Sequence, residues 1–197
     1  ETGILIYSGA TNLINEETDD DEIRMIDSIS SSLFNEHGML TSQFTSQEDK
    51  DNRKRIIDYF VKKDIQAIVA IKCLDEGVNI PSIRTAFILA SSTNPKEYIQ
   101  RRGRVLRLHE SKDYSEIFDF VVMPKQIENA SQLTDDEKSQ DYGLIKRELT
   151  RVFEFARLSM NSSVGFEFIS RILDVYPRIT FNDLSNIERK VSDDEYN

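Results

Sequence analysis

Short apolar runs that alternate with helical patterns constrain this chain more than any other feature. Ile4-Leu5-Ile6-Tyr7, residues 39–44, Ala67-Ile68-Val69-Ala70-Ile71, residues 85–90 and residues 117–122 read as strands. Residues 20–36 read as a helix, acidic at its start and stopped by Gly38. Thr45-Ser46-Gln47-Glu48 has the form of a capping box opening a second helix through Ile56, Ile57 and Phe60. Pro95 suits the first turn of a third, which carries Tyr98, Ile99 and a run of arginines. Strands that are nearly continuously apolar and separated by helices predict an α/β fold: a parallel sheet with helices on both faces. Ligands in such sheets bind at the carboxyl ends of the strands, and the sequence places its two unusual runs there.

Pro124 closes this unit, so the expected division is residues 1–124 and residues 125–197. Residues 125–140 are polar and acidic and read as a linker or exposed loop. Beyond them, apolar residues recur at helical spacing over 144–160 and 164–175, which predicts a C-terminal α-helical extension packed on a neighbour, the first unit before a partner helix. No internal repeat is visible.

The chain has 197 residues, 39 % hydrophobic and 30 % charged, with a formal net charge of −10. That balance suits a globular protein and argues against a general nucleic-acid-coating one, which would be basic. No apolar run approaches the roughly 20 residues of a membrane span, and the first residues, Glu1-Thr2-Gly3, do not form a basic-then-apolar leader. Cys73 is the only cysteine, and His37 and His109 stand apart with no ligand pattern. A reducing, cytoplasmic setting and no resident metal are the expectation. Cys73 itself reads as a small packing residue.

Against this acidic total, Gln100-Arg101-Arg102-Gly103-Arg104-Val105-Leu106-Arg107 crowds four arginines into eight residues. Such crowding repels unless an anion, an acidic surface or solvent compensates. On a helix, Arg101, Arg104 and Arg107 share a face and Arg102 points elsewhere; Gly103 leaves room for a close approach. An arginine held near phosphate gives bidentate hydrogen bonds and neutralises charge. Read alone, the run equally suits a surface helix whose arginines pair with acids. About thirty residues upstream, Ala70-Ile71-Lys72-Cys73-Leu74-Asp75-Glu76-Gly77-Val78-Asn79-Ile80-Pro81 leaves a buried strand and offers Asp75, Glu76 and Asn79 beside a permissive Gly77.

Together these runs resemble motifs V and VI (Q-x-x-G-R-x-x-R) of superfamily 2 helicases, and Ile4 to Thr11 resembles motif IV. The order and spacing agree over roughly residues 1–123. Glutamine at the head of motif VI is unlike DEAD-box RNA helicases; the Leu-Asp-Glu-Gly and Gly-Arg-Val-Leu-Arg forms look like type III restriction-enzyme helicase subunits and excision-repair helicases. The resemblance implies a RecA-like second motor domain of a DNA helicase or translocase of restriction or phage-defence type, with RNA left open as a substrate. It implies Arg104 and Arg107 as arginine fingers on the γ-phosphate, with Gln100, Gly77 and Asn79 beside the nucleotide. Ser8, Thr11, Thr45, Ser46 and Lys72 would hold nucleic-acid phosphates. The family often carries threonine where Ile71 stands and aspartate where Asn79 stands. No G-x-x-x-x-G-K-[ST] loop and no Asp-Glu-x-His site occurs, so ATP and Mg2+ would be held mainly by an N-terminal RecA-like domain of the same full-length protein, and this chain alone would not hydrolyse ATP. The rival reading is a non-catalytic RecA-like docking module.

Overall fold

The computed structural model describes residues 2–8, 19–45, 48–71, 80, 82–89, 95–107, 109–110 and 112–185. By contact, the chain divides into two compact units, Glu1–Phe120 and Val121–Asn197.

The first unit is built on β1 (Ile4–Tyr7), α1 (Asp19–His37), β2 (Thr41–Phe44), α2 (Lys50–Lys62), β3 (Ala67–Ala70), β4 (Thr85–Ile88), α3 (Pro95–Val105) and β5 (Glu116–Asp119). The strands pair in the order β2-β3-β1-β4-β5, all parallel. The central strand β1 and its neighbour β3 are buried at every position, which is why their sequences run apolar without alternation. Period-two alternation still sorts their side chains. Ile4, Ile6, Ala67 and Val69 cluster with Ile26 of α1, while Ile29 and Leu33 pack around them. On the opposite face, Tyr7 lies under the Arg101 guanidinium of α3 at 5.3 Å, and Phe44 under Arg53 of α2 at 5.4 Å. Register sets Phe44, Ala70, Tyr7, Ile88 and Asp119 in one row. So α1 covers one face and α2 with α3 the other, as the alternation of runs predicts.

Gly38 closes α1 as expected. Its φ is +63° and its N–H donates to Phe34 O at 2.9 Å, the 5→1 bond of an αL cap, while Met39 N–H donates to Leu33 O at 3.1 Å. The start of α2 differs from expectation. Thr45 does donate to the Glu48 carboxylate, but the helix opens at Lys50 behind Asp49, whose side chain accepts from Asn52 N at 2.8 Å. Two overlapping cap patterns occur in sequence; the first closes the turn and the second starts the helix.

The second unit holds α4 (Ile127–Ala130), α5 (Asp135–Ser139), α6 (Tyr142–Ala156), α7 (Ser162–Val175) and α8 (Phe181–Ser185). Residues 125–140 are therefore not a linker. Ala130 is fully buried with Ile127 and Leu133 packed beside it, and Thr134 and Glu137 form a reciprocal capping box on α5. The apolar stripe of α6 is spent within this unit: Ile145 and Leu149 close on Ile169, Ile172, Tyr176 and Leu184. Buried Glu148 accepts from Arg151 Nη2 at 2.8 Å and from Val122 N at 3.0 Å. None of the described helices is long and apolar enough to cross a membrane.

Candidate functional site

Helix α3 carries the arginine run, and packing divides that run in two. Tyr98, Arg101, Arg102 and Val105 are buried, the i, i+3, i+4, i+7 stripe of a helix laid on a sheet. Arg101 and Arg102 thus share the inward face, whereas the sequence reading set Arg101 with Arg104 and sent Arg102 elsewhere. An arginine stem can cover apolar surface while its head finds a favourable partner, and the Tyr7 ring takes the Arg101 guanidinium by cation–π contact. Arg104 is half-buried, and Gln100 and Arg107 are exposed.

Arg107 is not on the helix. The last helical residue is Val105, after which Leu106 N donates to Arg102 O at 3.0 Å and Arg107 N to Arg104 O at 3.4 Å. The two arginines remain neighbours because the final turn tightens, not because they share a helical face.

The end of α3 lies at the amino ends of the strands, opposite to the edge that the sequence reading favours. Lys112 shows this directly. Its Nζ donates to Val105 O at 2.7 Å and to Ile83 O at 2.7 Å, so those carbonyls are no further apart than twice that distance. Ile83 leads into β4: Arg84 N and Thr85 N both donate to Gly3 O ahead of β1, at 2.8 and 3.2 Å. Gly3 is required there, because at its φ of +86° a Cβ would stand 2.9 Å from Ser82 O. Lys112 Nζ also donates to Ser115 Oγ at 3.0 Å, just ahead of β5, and Ser115 Oγ donates to Val105 O at 2.9 Å. A right-handed crossover helix runs back against its strands, and eleven residues at 1.5 Å each span about 16 Å. Residues at its far end therefore return to the edge where strands begin.

Of the upstream run, Ile71 stands at the carboxyl edge, where its N–H donates to Phe44 O at 3.3 Å, and buried Ile80 stands at the amino edge, where its carbonyl accepts from Ile83 N at 3.4 Å. Lys72, Gly77 and Asn79 themselves lie outside the described residues, as do Thr11 and Ser46. Ile71 is 8 % exposed and belongs to the core under α1, which accounts for an apolar residue where the resemblance favours threonine.

Arg84, Arg104, Arg107 and Lys112 come from segments at this amino edge, and so do Glu110, Asp113 and Glu116. Lys112 titrates below its ordinary range, first because burial penalises the ammonium and second because Arg84 repels it. Guanidinium groups suit phosphate oxygens rather than a divalent cation. Among the described residues no group of His, Cys, Asp and Glu is placed to hold a metal ion.

The expected nucleic-acid contacts fare differently. Ser8 is 1 % exposed; its N–H donates to Ala70 O at 3.0 Å, and its buried hydroxyl has no hydrogen-bond partner among the described residues. In this conformation it faces inward rather than toward a backbone phosphate. Thr45 is half-buried, with its N–H and hydroxyl turned to Glu48 and its carbonyl accepting from Arg53 Nη2 at 3.1 Å. Lys112, Ser115 and Arg84 were not singled out by sequence. Nothing local marks Lys112 among the 25 lysines and arginines; only the return of α3 brings it to the arginines.

The family model for the helicase conserved C-terminal domain matches residues 7–109. IRC3 of Saccharomyces cerevisiae, named as an ATP-dependent helicase, is 32 % identical over 89 residues, 45 % of this chain and 13 % of that protein. The DNA 3'-5' translocase XPB2 of Sulfurisphaera tokodaii is 35 % identical over 63 residues, 32 % of this chain and 14 % of that one. The chain thus spans only a small part of the length of these relatives. Among solved structures, the C-terminal part of the Fun30 ATPase domain superposes with a TM-score of 0.50 at 17 % identity, over 75 % of this chain and 47 % of that one, a likeness of fold. With more than half of its residues matched and a five-stranded, wholly parallel sheet beneath them, the chain belongs to the helicase conserved C-terminal domain family, the second RecA-like lobe of superfamily 2 helicases.

Proposed function

We propose that this lobe completes the ATP site of a nucleic-acid motor, with Arg104 and Arg107 meeting the γ-phosphate of ATP held by an N-terminal RecA-like lobe of the same full-length protein. One observation supports the reading: the end of α3, which carries Arg104 and leads to Arg107, and Ile80 at the exit of the 70–81 run come to one edge of the sheet. Arginines supplied from a second lobe offset the charge that builds on the γ-phosphoryl oxygens in the transition state, an effect worth about a thousandfold or more in rate. Gln100, exposed on α3, would help orient the same nucleotide, with Gly77 and Asn79 supplied by the 70–81 run. Mg2+ would arrive with ATP and be coordinated from the first lobe. The chain alone would not hydrolyse ATP.

Closure of the two lobes would bring the arginines to the nucleotide, and repeated closure would move the nucleic acid past this lobe. The partial matches to IRC3 and to the DNA translocase XPB2 support DNA as the track, and the sequence forms of motifs V and VI support a motor of restriction or phage-defence type. Thr11, Ser46 and Lys72 are the proposed backbone contacts.

Arg104→Ala in the full-length protein is expected to lower nucleic-acid-stimulated ATPase by about a thousandfold while nucleic-acid binding survives. Turnover within a few-fold of the parent refutes the finger assignment and favours a docking module. Stimulation by duplex RNA above that by duplex DNA would reassign the track.

A further inference from the structure

Lys112 sits four residues before β5, in the turn where its own N–H donates to His109 O at 3.1 Å. An ammonium has three N–H donors, and here each has an acceptor inside the unit: Val105 O, Ile83 O and Ser115 Oγ. Lys112 is therefore committed to its own lobe rather than held ready for phosphate. Val105 O belongs to the last turn of α3, where backbone carbonyls lack helical partners and the helix dipole favours a cation. Ile83 O belongs to the segment that delivers the 70–81 run into β4. Ser115 Oγ also reaches Val105 O, but that bond links α3 only to the entry of β5. The lysine adds β4.

Its surroundings make this an expensive place for a positive charge. The ammonium is partly desolvated and stands near Arg84, and both effects lower its proton affinity. A lysine held in such a place is accounted for by the two carbonyls it joins. Val105 lies immediately after Arg104 and two residues before Arg107, so the backbone clamped by Lys112 is the backbone that sets where both guanidinium groups start.

We propose that Lys112 is a positioning residue for the arginine fingers: it clamps the end of α3 to the entry of β4 and so fixes Arg104 and Arg107 in the register from which they act. This inference rests on the assignment of those arginines to ATP. A displacement near 1 Å at reacting groups costs on the order of a hundredfold in rate, and the clamp holds a chain end that would otherwise fray.

The test uses the full-length protein. Lys112→Met keeps the stem and removes the three donors. The expected result is a fall in kcat for nucleic-acid-stimulated ATP hydrolysis of about ten- to a hundredfold, with KM for ATP within about twofold, because the clamp acts on the arginines rather than on ground-state nucleotide. Lys112→Arg, which still donates to both carbonyls, is expected to restore most of the rate. Arg104→Ala combined with Lys112→Met is expected to be no slower than Arg104→Ala alone, since the lysine works through the arginine. Parent kcat in Lys112→Met, or a double variant slowed by the product of the two single effects, overturns the proposal. The two readings fail separately: near-normal turnover in Arg104→Ala sinks the finger assignment, whereas inactive Arg104→Ala beside normal Lys112→Met sinks only the clamp. If Lys112→Met melts below the assay temperature, Ser115→Ala decides. It removes one donor to Val105 O and one acceptor of the ammonium, and a several-fold loss of kcat with unchanged melting supports the clamp, while unchanged kcat overturns it.

Discussion

Gly103→Ala separates what α3 does for the fold from what it does for a partner. Gly103 lies inside the helix, two residues before its end, and it is exposed. A Cβ built there meets no atom within 4 Å, and its φ is not in the left-handed region. Within the lobe the added methyl therefore has no clash to offset its helix preference. Alanine in place of glycine in a helix interior is worth about 0.5–1 kcal/mol, part of it from narrowing the unfolded ensemble. For a chain of this length that corresponds to a rise of about 1–4 °C in melting temperature. The measurement is thermal unfolding of the 197-residue chain followed by circular dichroism. Gly103 also precedes Arg104 directly, so the open space above it is where a nucleotide or another lobe would approach. In the full-length protein the same methyl is expected to slow nucleic-acid-stimulated ATPase at least tenfold while the lobe itself becomes more stable. A drop in melting temperature would mean that α3 packs more closely than described. A parent-like rate would show that nothing approaches Gly103, and would refute the use of this glycine as a gap for a ligand.

Gly165→Ala is expected to act in the opposite sense. Its Cβ would stand 2.5 Å from Ala156 Cβ across the α6–α7 contact, so the overpacking cost of about 1–3 kcal/mol exceeds the roughly 1 kcal/mol gained in helix preference; urea unfolding of the 197-residue chain should show a lower midpoint, and an unchanged or higher one would refute the close crossing. Asp183 titrates near 2 rather than 3.8, chiefly because the Thr180 hydroxyl and N–H donate to it at 2.7 and 2.9 Å, with Lys146 adding to the effect. A carboxyl whose folded value is depressed adds stability above its ordinary value and loses it as pH falls from about 4 toward 2. Carbon-detected NMR should place its midpoint near 2, with Asp183→Asn flattening that part of the stability profile; a midpoint near 4 would contradict the hydrogen bonds.

Legibility in sequence followed burial. β1 and β3 were legible because strands covered on both faces carry no polar positions, and the end of α1 because glycine takes the positive φ of Gly38 most readily. The short helices over 127–139 were hidden because three apolar residues, Ile127, Ala130 and Leu133, are too few to show a period. Among the arginines, spacing alone grouped Arg101 with Arg104 and Arg107, whereas burial groups Arg101 with Arg102 and the helix ends before Arg107. Counting every arginine as polar pointed the run outward, although Tyr98 and Val105 bracket Arg101 and Arg102 at the spacing of a buried stripe.

The larger displacement of the candidate site has a general cause. The rule that ligands gather at strand carboxyl ends concerns the loop that follows a strand. Residues at the far end of a crossover helix obey the opposite rule, because the helix has carried the chain back along the sheet before they appear. Pro95 starts α3 and Val105 ends it, and the bonds from Lys112 fix that end beside Ile83 and Ser115, where β4 and β5 begin. Ile80, which closes the other run, stands at that amino edge as well, bonded through its carbonyl to Ile83 N. Arg104 and Arg107 are then best sought at a cleft on the amino edge, and Lys112, unremarkable in sequence, becomes the residue on which that geometry turns.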